Sequence, residues 1–179
     1  APGICSDAVC RVPMIWRVPG VTPADRTTTH LVENLDMAPT LAALCGLPAM
    51  QWVDGQDITG LLRGRDEPVR DVAVTEHPWS KSLRWKQWRF VHYQPEMFDG
   101  EDIGELYDIE NDPDETTNLY HSDEHREVVE ACRRRLLEWL IRTTRVTTCN
   151  PGPKSDKKHD YRLAGDGKET NDTGPSERV

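Results

Sequence analysis

The spacing of apolar residues changes along this chain, and each change predicts an element. Residues 1–10 show no period, and then Arg11-Val12-Pro13-Met14-Ile15-Trp16-Arg17 forms a short apolar run closed by Pro19-Gly20. A continuous run of that length bounded by a turn pair predicts a strand covered on both faces. From Asn34 to Gly46 the residues Leu35, Ala38, Leu41, Ala42 and Cys45 recur at three and four, which predicts a helix over 34–46. Asp36 is placed to cap it, Pro39 falls in the first turn where its missing N–H removes no bond, and Gly46 followed by Pro48 stops it. Beyond a loop through Asp54-Gly55, Ile58 to Arg63 predicts a short helical piece ended by Gly64.

From Val72 the period becomes two. Val72, Val74 and the stretch Arg84 to Tyr93, rich in aromatic and β-branched residues, predict antiparallel strands, and Glu105-Leu106-Tyr107-Asp108-Ile109 predicts another. Asn111-Asp112-Pro113-Asp114 supplies a turn through an Asx side chain and a fixed proline φ. Val128, Val129, Cys132, Leu136, Trp139 and Leu140 then recur at helical spacing, with Ser122 or Asp123 as cap and Arg142 and Arg145 at the negative end of the dipole. After Val146 apolar content collapses, so residues 146–179 are expected to be a polar tail. No internal repeat interrupts this order.

Composition narrows the function classes. The chain has 179 residues and a net charge of −9, and its basic residues are scattered, so neither nucleic acid nor an anionic membrane is an expected partner. No run approaches the ~20 apolar residues that span a bilayer. Five cysteines, Cys5, Cys10, Cys45, Cys132 and Cys149, lack metal-like spacing and are expected as buried free thiols.

Four blocks of residues resemble, in order, the closing part of sulfatases of the alkaline-phosphatase-like superfamily. They are Arg11-Val12-Pro13-Met14-Ile15 with Pro19-Gly20; Val32-Glu33-Asn34-Leu35-Asp36-Met37-Ala38-Pro39-Thr40-Leu41 with Gly46; Asp54-Gly55; and Glu105-Leu106-Tyr107-Asp108-Ile109-Glu110-Asn111-Asp112-Pro113-Asp114-Glu115-Thr116-Thr117-Asn118-Leu119. The last is the most distinctive, and the resemblance covers about residues 11–142. It implies an α/β protein of which this chain holds an α+β portion. Residues 1–70 would end the large α/β domain, 71–145 would form a small antiparallel sheet subdomain with a C-terminal helix, and 146–179 would be the tail.

The resemblance also implies a sulfuric ester hydrolase acting on a small-molecule or carbohydrate sulfate ester. Sulfate-ester cleavage needs a nucleophile, a divalent cation and cationic side chains. Family members supply a formylglycine, made from Cys/Ser-x-Pro/Ala-x-Arg, and Ca2+ held by an Asp/Asn cluster, both upstream of the region resembled here. Cys149-Asn150-Pro151-Gly152-Pro153 places Pro153 where the arginine belongs, and Cys5 is followed by Asp7 and Val9 at the decisive positions. A lysine that most members carry before the Arg-Val-Pro strand is also missing, the first lysine being Lys81. The chain is therefore expected to be a truncated piece, with residues 1–10 foreign to the family, to need an upstream sulfatase domain as partner, and to be inactive alone. No catalytic or metal-ligating residue is expected in it. A periplasmic or secreted location follows from the family alone.

Within the fragment, the polar, aromatic and cationic loop Glu76-His77-Pro78-Trp79-Ser80-Lys81, with Arg84, suits an anionic ligand, which makes His77, Lys81 and Arg84 the candidate substrate-binding residues. The competing reading leaves His77 and Lys81 solvated, Trp79 packed on the sheet, and Arg84 and Lys86 on an exposed strand face. Trp85, Trp88 and Phe90 suit sugar stacking or, by their alternation, packing beneath a helix. His30 reads as a surface residue, the acidic stretch 108–114 as a turn rather than a calcium loop, and Arg133-Arg134-Arg135 as a solvated face among glutamates. Two further functions stay open: a phosphodiesterase or phosphonate monoester hydrolase of the same superfamily, and a non-catalytic binding module.

Overall fold

The computed structural model describes residues 5–144; the tail expected from 146, with Cys149, lies outside them. In chain order the elements are helices α1 (Asp7–Cys10), α2 (Met37–Leu44) and α3 (Thr59–Leu62), strands β1 (Val72–His77), β2 (Ser80–Trp85), β3 (Trp88–Tyr93) and β4 (Gly104–Asp108), and helix α4 (Arg126–Thr143). Short 3₁₀ turns occupy Asn34–Asp36, Pro95–Phe98 and Asp123–His125.

The strands form one antiparallel sheet in the order β1-β2-β3-β4. Pairing aligns Val72 with Trp85 and Trp88, and Val74 with Leu83, Phe90 and Leu106. Because side chains alternate across a strand, both rows point to one face. Helix α4 closes that face with Val129, Cys132 and Leu136, sealing Leu83, Phe90 and Leu106. Trp85 and Trp88 pack at the rim of this core, so the aromatic alternation serves packing beneath a helix. Arg135 adds a guanidinium 3.8 Å from the Trp85 ring centroid. The stretch 84–93 is two strands, folded back at Lys86-Gln87 with Lys86 at φ 53. A left-handed φ at a lysine is uncommon, which is why the alternation concealed the turn.

The opposite face carries Ser82, Arg89, Val91 and Tyr93, and the segment around α1 covers it. Arg89 Nη1 donates to the Cys5 carbonyl at 2.7 Å, and the same guanidinium pairs with Glu115 and, at 3.4 Å, with Glu105. The Asp7 amide donates to Glu115 Oε1 at 3.1 Å. Tyr93 donates to Glu105 at 2.6 Å, and burial first, then that carboxylate, push its hydroxyl far above the usual tyrosine range. A buried arginine whose donors all meet carboxylates or carbonyls is tolerated because no charge is left unpaired.

The most distinctive sequence block proves to be a fastener. Asp112 accepts from the amides of Thr116 (3.0 Å) and Thr117 (2.8 Å). Asn118 accepts from the Leu106 amide and donates to the Gly104 carbonyl, both at 3.0 Å, so that its side chain extends the ladder of β4. Gly104 is required there, since a Cβ would lie 2.2 Å from the Tyr120 ring.

Upstream of β1 the outcome differs from expectation. Residues 11–17 form no strand, and Ile15 is 91% exposed; a strand needs a neighbour to bond, and none of the described residues supplies one. The helix predicted over 34–46 divides into the 3₁₀ turn and α2. Its apolar stripe is open to solvent, with Leu41 49% exposed, while Asp36, Pro39 and Thr40 are buried. Cys45, expected buried, is exposed for the same reason. The helix α4 begins after His125 rather than at a capping Ser122 or Asp123; Ser122 instead holds His125 Nδ1 at 2.9 Å.

A polar joint ties this upstream segment to the sheet. Asp36 accepts from the amides of Glu33 and Gln56, each at 2.7 Å, and pairs with Arg70; Glu33 pairs with the same guanidinium and accepts from the Val74 amide of β1 at 2.8 Å. Thr40 receives the Ile58 amide at 3.1 Å. The Gly55 backbone passes so close that a Cβ would sit 2.0 Å from the Leu35 carbonyl oxygen.

Candidate functional site

The β1–β2 hairpin places the candidate ligand-facing residues. Only Pro78 and Trp79 lie between the strands, so the segment expected as a loop is a tight hairpin tip. Its backbone is held twice: the Trp79 amide donates to His77 Nδ1 at 3.4 Å, and the Trp79 carbonyl accepts from the Gln94 amide at 3.0 Å. Trp79 does not pack on the sheet but stands 51% exposed at the tip. Lys81 donates to the His77 carbonyl at 3.3 Å and lies 3.3 Å from Glu76. The structure thus gathers Glu76, His77, Trp79 and Lys81 into one polar and aromatic corner. Gln94, which sequence reasoning passed over, fixes that corner from the end of β3; no periodicity marks a residue whose contribution is its amide.

Arg84 is elsewhere. It lies on the face opposite Lys81, paired across the strands with Ala73 and Arg89. Burial pulls its guanidinium below the ordinary arginine value, Asp7 opposes that shift and Arg11 adds to it. Its Nη1 is buried with no hydrogen-bond partner among the described residues. Arg84 is therefore neither an exposed strand residue nor a neighbour of His77. His30, read as a surface residue, pairs with Asp66 at 2.8 Å. Within Arg133-Arg134-Arg135 only Arg134 is exposed, since Arg133 bonds Asp102, Tyr120 and Glu130.

The described residues do not gather the groups that the cofactors implied by the sulfatase resemblance need. No group of three or more His, Cys, Asp or Glu that could hold a metal ion occurs among the described residues. The carboxylates of 108–114 are occupied locally: Asp108 accepts from the Glu110 amide at 3.2 Å and the Asn111 side chain at 2.9 Å, and Asp112 serves its own turn. Cys5 is buried 3.6 Å from Ser80 Oγ.

A four-stranded meander closed by one long helix is joined through a buried Asp36–Arg70–Glu33 triad to a helix-bearing segment, an α+β arrangement. The chain matches the family described as N-sulphoglucosamine sulphohydrolase, C-terminal, over residues 4–142, and it belongs to that family. A sulfatase of Formosa agariphila is 30% identical over 185 aligned residues, covering 84% of this chain and 32% of the relative. A solved structure from Bacteroides thetaiotaomicron, described with the metabolism of multiple glycosaminoglycans, superposes with a TM-score of 0.60 at 24% identity over 71% of this chain and 30% of that one. The phosphonate monoester hydrolase of Silicibacter pomeroyi shares the fold at a TM-score of 0.58 and 17% identity, over 72% of this chain and 28% of that one. The chain spans about a third of the length of these proteins.

Proposed function

We propose that this chain is the C-terminal part of a sulfuric ester hydrolase and is inactive alone, its nucleophile and its Ca2+ being carried by an upstream domain. The supporting observation is the inverted burial before residue 54: Val12, Ile15, Leu35, Met37, Leu41, Leu47 and Met50 are exposed while Asp36 and Thr40 are sealed. Exposed apolar surface of that extent marks an interface, and the unpaired apolar run 11–17 has the composition of a strand that enters a larger sheet. The division near residue 70 then separates the end of the large domain from the small one.

In this reading the hairpin corner of His77, Trp79 and Lys81 faces the alcohol side of the sulfate ester, a small molecule or a carbohydrate, while Arg84 turns its unpaired nitrogen toward the upstream domain. Likeness of fold alone does not separate a sulfatase from a phosphonate or phosphodiester hydrolase, so the test uses both substrates. The chain alone and the product of the gene read upstream of Ala1 are assayed on an aryl sulfate and on an aryl phosphonate. The expected result is turnover of the sulfate by the long form only, with Cys/Ser-x-Pro/Ala-x-Arg in its sequence. Turnover of the phosphonate alone would select the second reading. Absence of the motif and of both activities would leave a binding module.

A further inference from the structure

From the packing beneath the sheet, we propose that Cys5 and Cys10 form a reversible disulfide that closes the turn of α1 in the segment covering the face opposite α4. The local structure brings the two positions together. Ser6 is the residue before the first helical residue of α1, so Cys5 precedes the cap and Cys10 is the fourth residue of the helix. Side chains at those two places meet across the first turn, the geometry of a hydrophobic staple. The Cys10 amide bonds the Ser6 carbonyl at 2.9 Å, which closes that turn.

Tertiary packing agrees with the local geometry. Cys5, Val91 and Tyr93 form a small buried cluster, and Cys10 packs against it. The Cys5 sulfur lies 3.6 Å from Ser80 Oγ, and the Thr75 side chain acts on the Cys10 thiol; Thr75 pairs with Ser82, so it sits diagonally from Ser80 on that face. Cys45 is exposed on the far segment, and Cys132 is sealed under α4, so neither competes for the pair.

The chemistry balances with a low-molecular-weight disulfide such as glutathione disulfide as oxidant. Cys10 is half-buried and Cys5 buried, so Cys10 is the thiol that meets solvent. Its thiolate attacks one sulfur of glutathione disulfide and releases one glutathione thiolate. The Cys5 thiolate then attacks the Cys10 sulfur of the mixed disulfide and releases the second. Two electrons pass from the protein to the oxidant, and the two thiol protons end on the two glutathiones. Burial raises the Cys10 thiol above its ordinary value, so the first step quickens as pH rises. The bridge would close the turn that carries the Cys5 carbonyl and so narrow the positions from which it accepts from Arg89, while the segment stays held to the sheet by hydrogen bonds.

The test equilibrates the full chain with glutathione and its disulfide, quenches with an alkylating reagent and digests with trypsin. The expected product is the peptide of residues 1–11, lighter by two hydrogens and alkylated at Cys5 and Cys10 only after reduction. It should form more readily in the folded chain than in urea by roughly tenfold, about 30 mV in potential. A Cys45→Ser variant should behave as the parent. A glutathione adduct that persists on Cys10, a bridge to Cys45, Cys132 or Cys149, or equal formation in urea would overturn the proposal.

Discussion

In residues 72–143 the large side chains of Leu83, Phe90 and Leu106 are fully enclosed between sheet and helix, whereas in residues 11–62 Ile15 and Leu41 lie open and the fully enclosed side chains are Asp36 and Thr40. The first region obeys the ordinary economy of a core, in which apolar area leaves water at about 25 cal/mol per Å². The second is held by polar groups, Asp36 to Arg70, Thr40 to Ile58 and Glu33 to Val74, around the buried side chain of Ile58. One region is enclosed by its own described residues; the other leaves its apolar side chains open.

Substitutions that break this contrast rank by size. Phe90→Ala empties the middle of the sheet–helix core and is expected to cost about 3–5 kcal/mol, read as a lower urea midpoint for the whole chain. Arg70→Ala leaves Asp36 and Glu33 without their counterion and is expected to cost about 3 kcal/mol or more; hydrogen exchange should show 33–58 opening before the sheet does. Gly104→Ala forces the Tyr120 ring away and should cost about 1–3 kcal/mol by thermal melting. Leu41→Ala removes an exposed group and should stay within about 0.5 kcal/mol in this chain, against several times that in the long form.

Acid should act on the sheet first. His92 is half-buried, and burial, followed by Arg133, lowers its pKa below the usual histidine value, with Asp102 opposing. The unfolded chain then takes up the proton before the folded one, so this contribution is whole above about pH 6.5 and is lost as pH falls toward the folded value. A pH series of urea midpoints should show that slope in the parent, and His92→Gln should flatten it.

The sheet and last helix were legible in the sequence because period two and period 3.6 both report burial against partners inside the chain. The stripe of Leu35, Leu41 and Cys45 was equally legible as a stripe, yet it pointed to a cover that the described residues do not contain. The Arg11 run failed as a strand for the same reason. At the candidate site, composition grouped His77, Lys81 and Arg84, and the register sets Arg84 on the face opposite Lys81 and four positions along β1 from His77, because sequence distance along one hairpin arm hides both separations. Trp79 was underrated, since an aromatic residue near strands usually packs, and here the two-residue turn leaves the indole outside. Asn118 and Asp112 marked the family while serving the backbone of β4 and its turn, so the residues most useful for recognising the chain are not those that would meet a ligand.

The exposed surface before residue 54 as the contact with an upstream domain is tested most directly by hydrogen exchange on this chain and on the longer gene product, peptide by peptide. The account predicts strong new protection over 11–17 and 35–47 in the long form, with the amides of β2, β3 and α4 unchanged. Equal exchange of 11–47 in the two forms would contradict it.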